Sequence, residues 1–173
     1  YLDAGLLVPR PPGWILVDRS TPLAPSRKGL VLAVDLESYS FRQGADALIR
    51  PTEGTVLDRL PPRMAIRRGA SLDLPHILLL IDDPERTVTE PLFQRRGGME
   101  KLYDFDLQQD GGHVAGWFVD GETAAATAAA LESLVDGGLL FAVGDGNHSL
   151  ATAKQLWEER KEQGAADDDP ARY

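Results

Sequence analysis

Phe141 to Ala153 read FAVGDGNHSLATA, a short apolar run, two glycines, four polar residues and the start of an amphipathic helix. A strand that enters a helix through glycines can build an anion site. The first helical turn leaves amide N–H groups without partners, and the helix dipole adds about half a positive charge there. Gly144 and Gly146 permit positive φ and let a phosphate approach the backbone, while Asn147, His148 and Ser149 can donate to its oxygens. Asp145 repels phosphate. It belongs in such a turn if it holds Mg²⁺ between phosphates or handles a substrate proton or ammonium. The same residues also admit a plain structural reading. Asp-Gly and Gly-Asn are turn pairs, Asn147 or Asp145 can cap the helix, and His148 can be a hydrogen-bonded scaffold residue.

A second cluster is IRPTEGT, Ile49 to Thr55. Arg50, Thr52, Glu53 and Thr55 bring a cation, two hydroxyls and a carboxylate together, with Gly54 easing the backbone. Glu53 has the chemistry of a general base toward a hydroxyl, and Arg50 that of a clamp on a transferred phosphoryl group. The structural alternative makes Thr52 the cap of a short helix and puts Glu53 in its first turn. The other candidates carry less. His76 precedes an apolar run and reads as structural, His113 lies at a hairpin edge and reads as solvated, and Asp167–Asp169 reads as a solvated loop. RRGGMEK is too short a basic patch for DNA. Neither the Walker A pattern nor the dinucleotide fingerprint occurs.

The elements that must position these residues follow from periodicity. WILVDRS (Trp14–Ser20) and GLVLAVDL (Gly29–Leu36) read as strands. A helical turn or two is expected around Thr55–Leu60, ended by Pro61-Pro62. HILLLID (His76–Asp82) reads as a strand buried on both faces, and DDPERTVTEPLFQR as a helix capped by Asp82 or Asp83 with Pro84 in its first turn. KLYDFDLQ (Lys101–Gln108) and HVAGWFVD (His113–Asp120) are strands joined by the hairpin signal QDGG, with Asp104 and Asp106 on the polar face. GETAAATAAALESLV is a helix with Leu131, Leu134 and Val135 on one face, and LLFAV is a short buried strand. The last helix, NHSLATAKQLWEERKEQ, puts Leu150, Ala153 and Trp157 on one face and pairs Lys154 with Glu158. The whole reads as one α/β (α+β) domain over residues 1–173, a mixed β-sheet flanked by helices.

Composition narrows the class. The 173 residues are 43% hydrophobic and 26% charged, as in ordinary globular proteins. A net charge of -9 opposes non-specific binding to nucleic acid. The absence of cysteine excludes disulfides, thiolate catalysis and cysteine-bound zinc, and fits a cytoplasmic location. No apolar run has the length of a membrane span. The first residue is Tyr1 and the last stretch DDDPARY, which suggests a piece of a longer chain.

VGDGNHSLATAKQLWE resembles the signature turn of a family of bacterial and archaeal proteins known as DUF1015. LIRPTEGTVLDRLPPRMAIRRGA, LPHILLLIDDPERTV and LYDFDL…GGHVAGWFVD are similar to the same family. The resemblance runs from about Gly29 to the last residue. It implies that the family's C-terminal region is missing here. The Asp-Gly-x-His element is also similar to the turn of the ParB/sulfiredoxin-like superfamily, where it opens a helix that binds nucleotide phosphates. That superfamily includes free-serine kinases, CTP-hydrolysing DNA-partition proteins and sulfiredoxins. Relatives often carry Arg directly after the histidine. Here Ser149 stands instead, so Arg50 or Arg63 must supply the guanidinium.

The resemblance implies a strand–Gly turn–helix phosphate-binding element and a nucleotide-dependent kinase. ATP or ADP with Mg²⁺ would be the donor, and a small hydroxyl compound such as free serine the acceptor. Glu53, Asp145 and His148 would be catalytic, with Glu53 assigned from its order along the chain. Gly144, Gly146, Asn147, Ser149, Arg50 and Thr52 would bind the nucleotide. Two other readings stay open: a nucleotide-sensing module without turnover, and a scaffold that keeps the motif for packing.

Overall fold

The computed structural model describes Tyr1 and residues 3–173. The chain divides into two compact units, Tyr1–Leu32 with Asp83–Ser133, and Ala33–Asp82 with Leu134–Tyr173. In chain order the elements are β1 (Gly13–Ser20), β2 (Arg27–Val31), β3 (Ile49–Pro51), α1 (Leu60–Arg67), β4 (Leu78–Leu80), α2 (Thr89–Arg95), β5 (Lys101–Asp106), β6 (His113–Asp120), α3 (Gly121–Glu132), β7 (Phe141–Asp145) and α4 (Asn147–Glu162). Two sheets form where a single mixed one was expected.

The first unit is built on a four-stranded antiparallel sheet of order β2-β1-β6-β5. Alternation along β6 sends Ala115, Trp117 and Val119 to one face, where they pack with Leu16, Leu92 of α2 and Ala124 of α3. Phe93 meets Trp117 edge-on, ring centroids 6.3 Å apart. The Asp120 side chain caps α3 by accepting from Thr123 N–H at 2.8 Å. α3 ends at Glu132, short of the expected Val135. Gly137 and Gly138 turn the chain with φ of 52° and 74°, and Val135 is exposed.

Three other expectations change here. β2 stops at Val31, opposite Ile15, because the chain then leaves this unit and cannot run on to Leu36. The helix expected from Pro84 begins at Thr89. Asp83 instead closes a turn, accepting from Thr87 N–H at 2.9 Å and Val88 N–H at 3.0 Å, with Arg86 at φ 55°. His113, read as simply solvated, lies between two carboxylates, with Nδ1 2.8 Å from Asp106 and Nε2 2.6 Å from Asp104.

The second unit holds a three-stranded mixed sheet of order β3-β7-β4, β7 parallel to β3 and antiparallel to β4. The central strand is β7, whose Phe141 and Val143 are buried. HILLLID yields only the three-residue edge strand β4, and Leu78 and Leu80 are 41% and 48% exposed, so it is not buried on both faces. Pro61 and Pro62 do not end a helix. They stand in the first turn of α1, where missing N–H groups leave no bond unmade. Leu60, Leu150, Ala151 and Trp157 are core residues of this unit, and Ala153 sits off the buried stripe. Arg68, just past α1, donates to both carboxylate oxygens of Glu159 and ties α1 to α4. The expected Lys154–Glu158 pair forms at 2.7 Å.

Candidate functional site

The strand–glycine–helix turn forms as β7, Gly146 and α4, but its polar side chains are arranged unlike a simple cap. Gly144 is an extended strand residue facing Leu80, and Gly146 alone takes positive φ, 80°. Its lack of a side chain is required, since a Cβ there would stand 2.6 Å from the His76 carbonyl oxygen. Gly146 is the N-cap, so no side-chain oxygen caps α4, and neither Asp145 nor Asn147 takes that role. Asp145 folds back and accepts from Gly146 N–H at 2.7 Å through one oxygen.

Asn147 is 4% exposed and works sideways. Its Oδ1 accepts from the Tyr39 hydroxyl at 3.2 Å and from Thr55 Oγ1 at 3.1 Å, and its Nδ2 donates to the Glu53 carbonyl at 3.4 Å. Burial raises the Tyr39 phenol above its ordinary range, so it stays a neutral donor. His148 accepts from Val56 N–H through Nε2 at 3.2 Å, which leaves the proton of the neutral ring on Nδ1. Thr52 extends the β3–β7 pairing by donating its hydroxyl to the Val143 carbonyl at 2.8 Å. Asn147 thus ties the IRPTEGT loop to the start of α4, His148 ties Val56 just beyond that loop, and Thr52 ties the loop to β7.

Beside this seam lies a cavity of about 950 Å³. Arg50, Thr52 and Glu53 line it, as do Arg42 and Phe41 from the preceding loop, Leu60 and Met64 of α1, and Gln155 of α4. Gly144, Asp145, Gly146, Asn147, His148 and Ser149 do not line it. Ser149 faces a smaller hollow of about 160 Å³ with Arg63 and Arg67. Arg67 pairs with Asp73 and donates to the Ser149 carbonyl at 2.6 Å. Guanidinium groups therefore stand next to Ser149, supplied by α1, whereas Arg50 belongs to the larger cavity. Among the described residues no group of three or more His, Asp or Glu side chains gathers as a metal site.

The sequence reading missed Arg42, Gln155, Tyr39 and Arg67. Arg42 stands in FRQG, next to an aromatic and a glycine in an irregular stretch, which was the one available signal. Gln155 carries none, since a glutamine on a helix is usually solvated.

The molecule is an α/β protein of two units, one of which holds a cavity of mixed polar and apolar lining between the loop after β3 and helix α1. The chain belongs to the DUF1015 family, described as a protein of unknown function, whose model matches residues 1–173. No curated protein and no solved structure matches it. No helix among the described residues is long and apolar enough to cross a membrane.

Proposed function

We propose that this chain binds a nucleoside phosphate and transfers a phosphoryl group to the hydroxyl of a small molecule such as free serine. The observation that carries this reading is the seam itself. Asn147 binds the Glu53 carbonyl and Thr55, so the acidic loop and the glycine turn are neighbours although 94 positions separate Glu53 from Asn147. Glu53 is exposed on the cavity and free of ion pairs among the described residues, as a general base must be. It takes the proton of the acceptor hydroxyl. The hydroxyl oxygen forms the new P–O bond, and the bond to the leaving nucleotide oxygen breaks with its electron pair going to that oxygen. Arg50 neutralises charge on the transferred group. Mg²⁺ would arrive with ATP or ADP and neutralise phosphate charge. Asp145 keeps one oxygen without a protein partner but lies outside the cavity lining, so it is not assigned as a ligand for the ion.

The test is a thermal-shift panel of ATP, ADP, CTP and GTP with Mg²⁺, followed by ³¹P NMR for phosphoserine. Saturating ligand at a hundred times Kd stabilises by about 2.7 kcal/mol, which is readily seen in Tm. No shift with any nucleotide at several millimolar overturns the reading.

A second reading, a nucleotide-sensing module without turnover, is favoured by one fact. Nε2 of His148 and the whole Asn147 side chain are already engaged by the protein, leaving less of the turn for catalysis. It predicts the same thermal shift and no phosphorylated product.

A further inference from the structure

The resemblance would put the nucleotide on the Gly144–Ser149 turn, yet the larger cavity has the chemistry for it. Arg42 and Arg50 both line that cavity, and neither guanidinium has a carboxylate or carbonyl partner among the described residues. Elsewhere in the same unit Arg67, Arg68, Arg160 and Arg172 are each matched by an acid. Arg63 donates only to the Arg59 carbonyl, and Arg59, outside this cavity, has no ion pair among the described residues. In a chain of net charge -9, the exposed Arg42 and the half-buried Arg50 bring two unpaired guanidiniums to one cavity against the single carboxylate of Glu53, which leaves the lining net positive and suited to an anion. The rest of the lining is different. Leu60 and Met64 present an apolar wall, Phe41 adds a ring, and the half-buried Gln155 amide makes no hydrogen bond within the protein. An amide offers a donor and an acceptor side by side, the pattern that pairs with a nucleobase edge. The volume, about 950 Å³, lies in the range of small-molecule sites.

We infer that the cavity is the nucleotide's seat, with Arg42 and Arg50 holding phosphate and Gln155, Phe41 and Met64 holding the base. This rests on the nucleotide reading above and goes beyond it by moving the ligand from the turn to the cavity. The glycine turn then serves as the brace that fixes the cavity's loop.

The experiment is isothermal titration of the full chain with Mg-ATP and, separately, with inorganic tripolyphosphate, a probe that carries the phosphates and no base. Arg42→Ala weakens both ligands about tenfold or more, the loss of a charge-assisted contact. Gln155→Leu weakens ATP about fivefold or more and leaves tripolyphosphate unchanged, since a lost neutral hydrogen bond costs about 1 kcal/mol. Arg42→Gln and Gln155→Ala serve as second variants, with circular dichroism checking the fold. If wild type binds ATP and all four variants bind it as tightly, the cavity seat is wrong while the proposed function stands. If Gln155→Leu weakens both probes alike, the base assignment is wrong. If wild type binds no nucleotide, both proposals fall together.

Discussion

The two units of this chain reach stability by different means. The first has a four-stranded sheet with strands up to eight residues long and an apolar core in which Leu16 and Val119 are 0% exposed. Its cations cover aromatic rings, Arg96 over Phe93 at 3.8 Å and Lys28 over the same ring at 4.8 Å. The second unit has a sheet whose longest strand is five residues, and its interior includes Asn147 and Thr152 beside Trp157. Buried polar groups are costly unless matched, and here each is matched: Tyr39 and Thr55 to Asn147, and Thr152 to the His148 carbonyl at 2.6 Å. In the second unit Arg42 and Arg50 line a large cavity and, among the described residues, neither is ion-paired, although Glu53 lines the same cavity. The first unit buries Thr127 as its one polar side chain among the described residues, bonded to the Thr123 carbonyl within α3, whereas the second carries groups that packing does not require.

The sharpest test of that contrast is Leu16→Ala. Removing a fully buried leucine costs the transfer of its methyl groups plus a cavity, about 3 kcal/mol. Urea unfolding followed by far-UV circular dichroism should show this loss, while nucleotide response at temperatures where the variant is folded stays as in wild type. A changed nucleotide affinity would mean that the first unit takes part in binding and that the contrast is drawn wrongly.

In the second unit the matching test is Asn147→Ala. The Tyr39 hydroxyl, 1% exposed as a residue, loses its acceptor, Thr55 loses the same one, and the Glu53 carbonyl loses a donor. Leaving a buried donor unpaired costs about 2 kcal/mol. The loop from Thr52 to Val56 should also exchange its amides faster, because one of its anchors has gone. If the variant loses under 0.5 kcal/mol by the urea measurement, about the cost of an ordinary surface change, polar stapling is not what holds this unit.

The same contrast explains what could be read from sequence. β6 and its hairpin to β5 were legible because alternation and QDGG act within a few residues. α4 was legible from its apolar period and the glycine that follows it, though not from its N-cap, which is Gly146. HILLLID misled because a continuous apolar run does not say whether a strand is central or at an edge; the partner strands decide that, and β7 took the centre. DDPERT misled because Asp83 and Pro84 suit a helix start and a turn equally well, and two N–H bonds to Asp83 chose the turn. At the site, Arg50, Thr52 and Glu53 were legible because seven residues held unlike chemistries. Arg42 and Gln155 were not, since nothing local marks them. They reach the cavity through the fold of a loop and the face of a helix.

The smallest expected effect concerns pH, where Glu37 of the second unit and His113 of the first act with opposite sign. In the second unit Glu37 accepts from Lys161 at 2.8 Å and from the Trp157 indole, and Lys161 foremost lowers its pKa to about 2. A lowered folded value stabilises above the unfolded pKa, near 4.5, and that gain is lost as pH falls toward 2. Glu37 is 38% exposed on its side chain, so solvent screening keeps its share under about 1 kcal/mol. In the first unit Asp106 foremost, then Asp104, raises the pKa of His113 above 6.5. A raised folded value stabilises fully below 6.5, and that gain is lost as pH rises through the folded pKa. Lys101 and His113 lower the pKa of Asp104, so the clasp also weakens in strong acid. Tm should therefore fall slightly from neutral to mildly alkaline pH, and His113→Gln should flatten that limb. The acid limb should persist through Glu37 and lose only the share that His113 lends to Asp104. An NMR titration of His113 that gives a midpoint at or below 6.5 would show that the two aspartates do not hold the ring as a cation, and the alkaline limb would then have another cause.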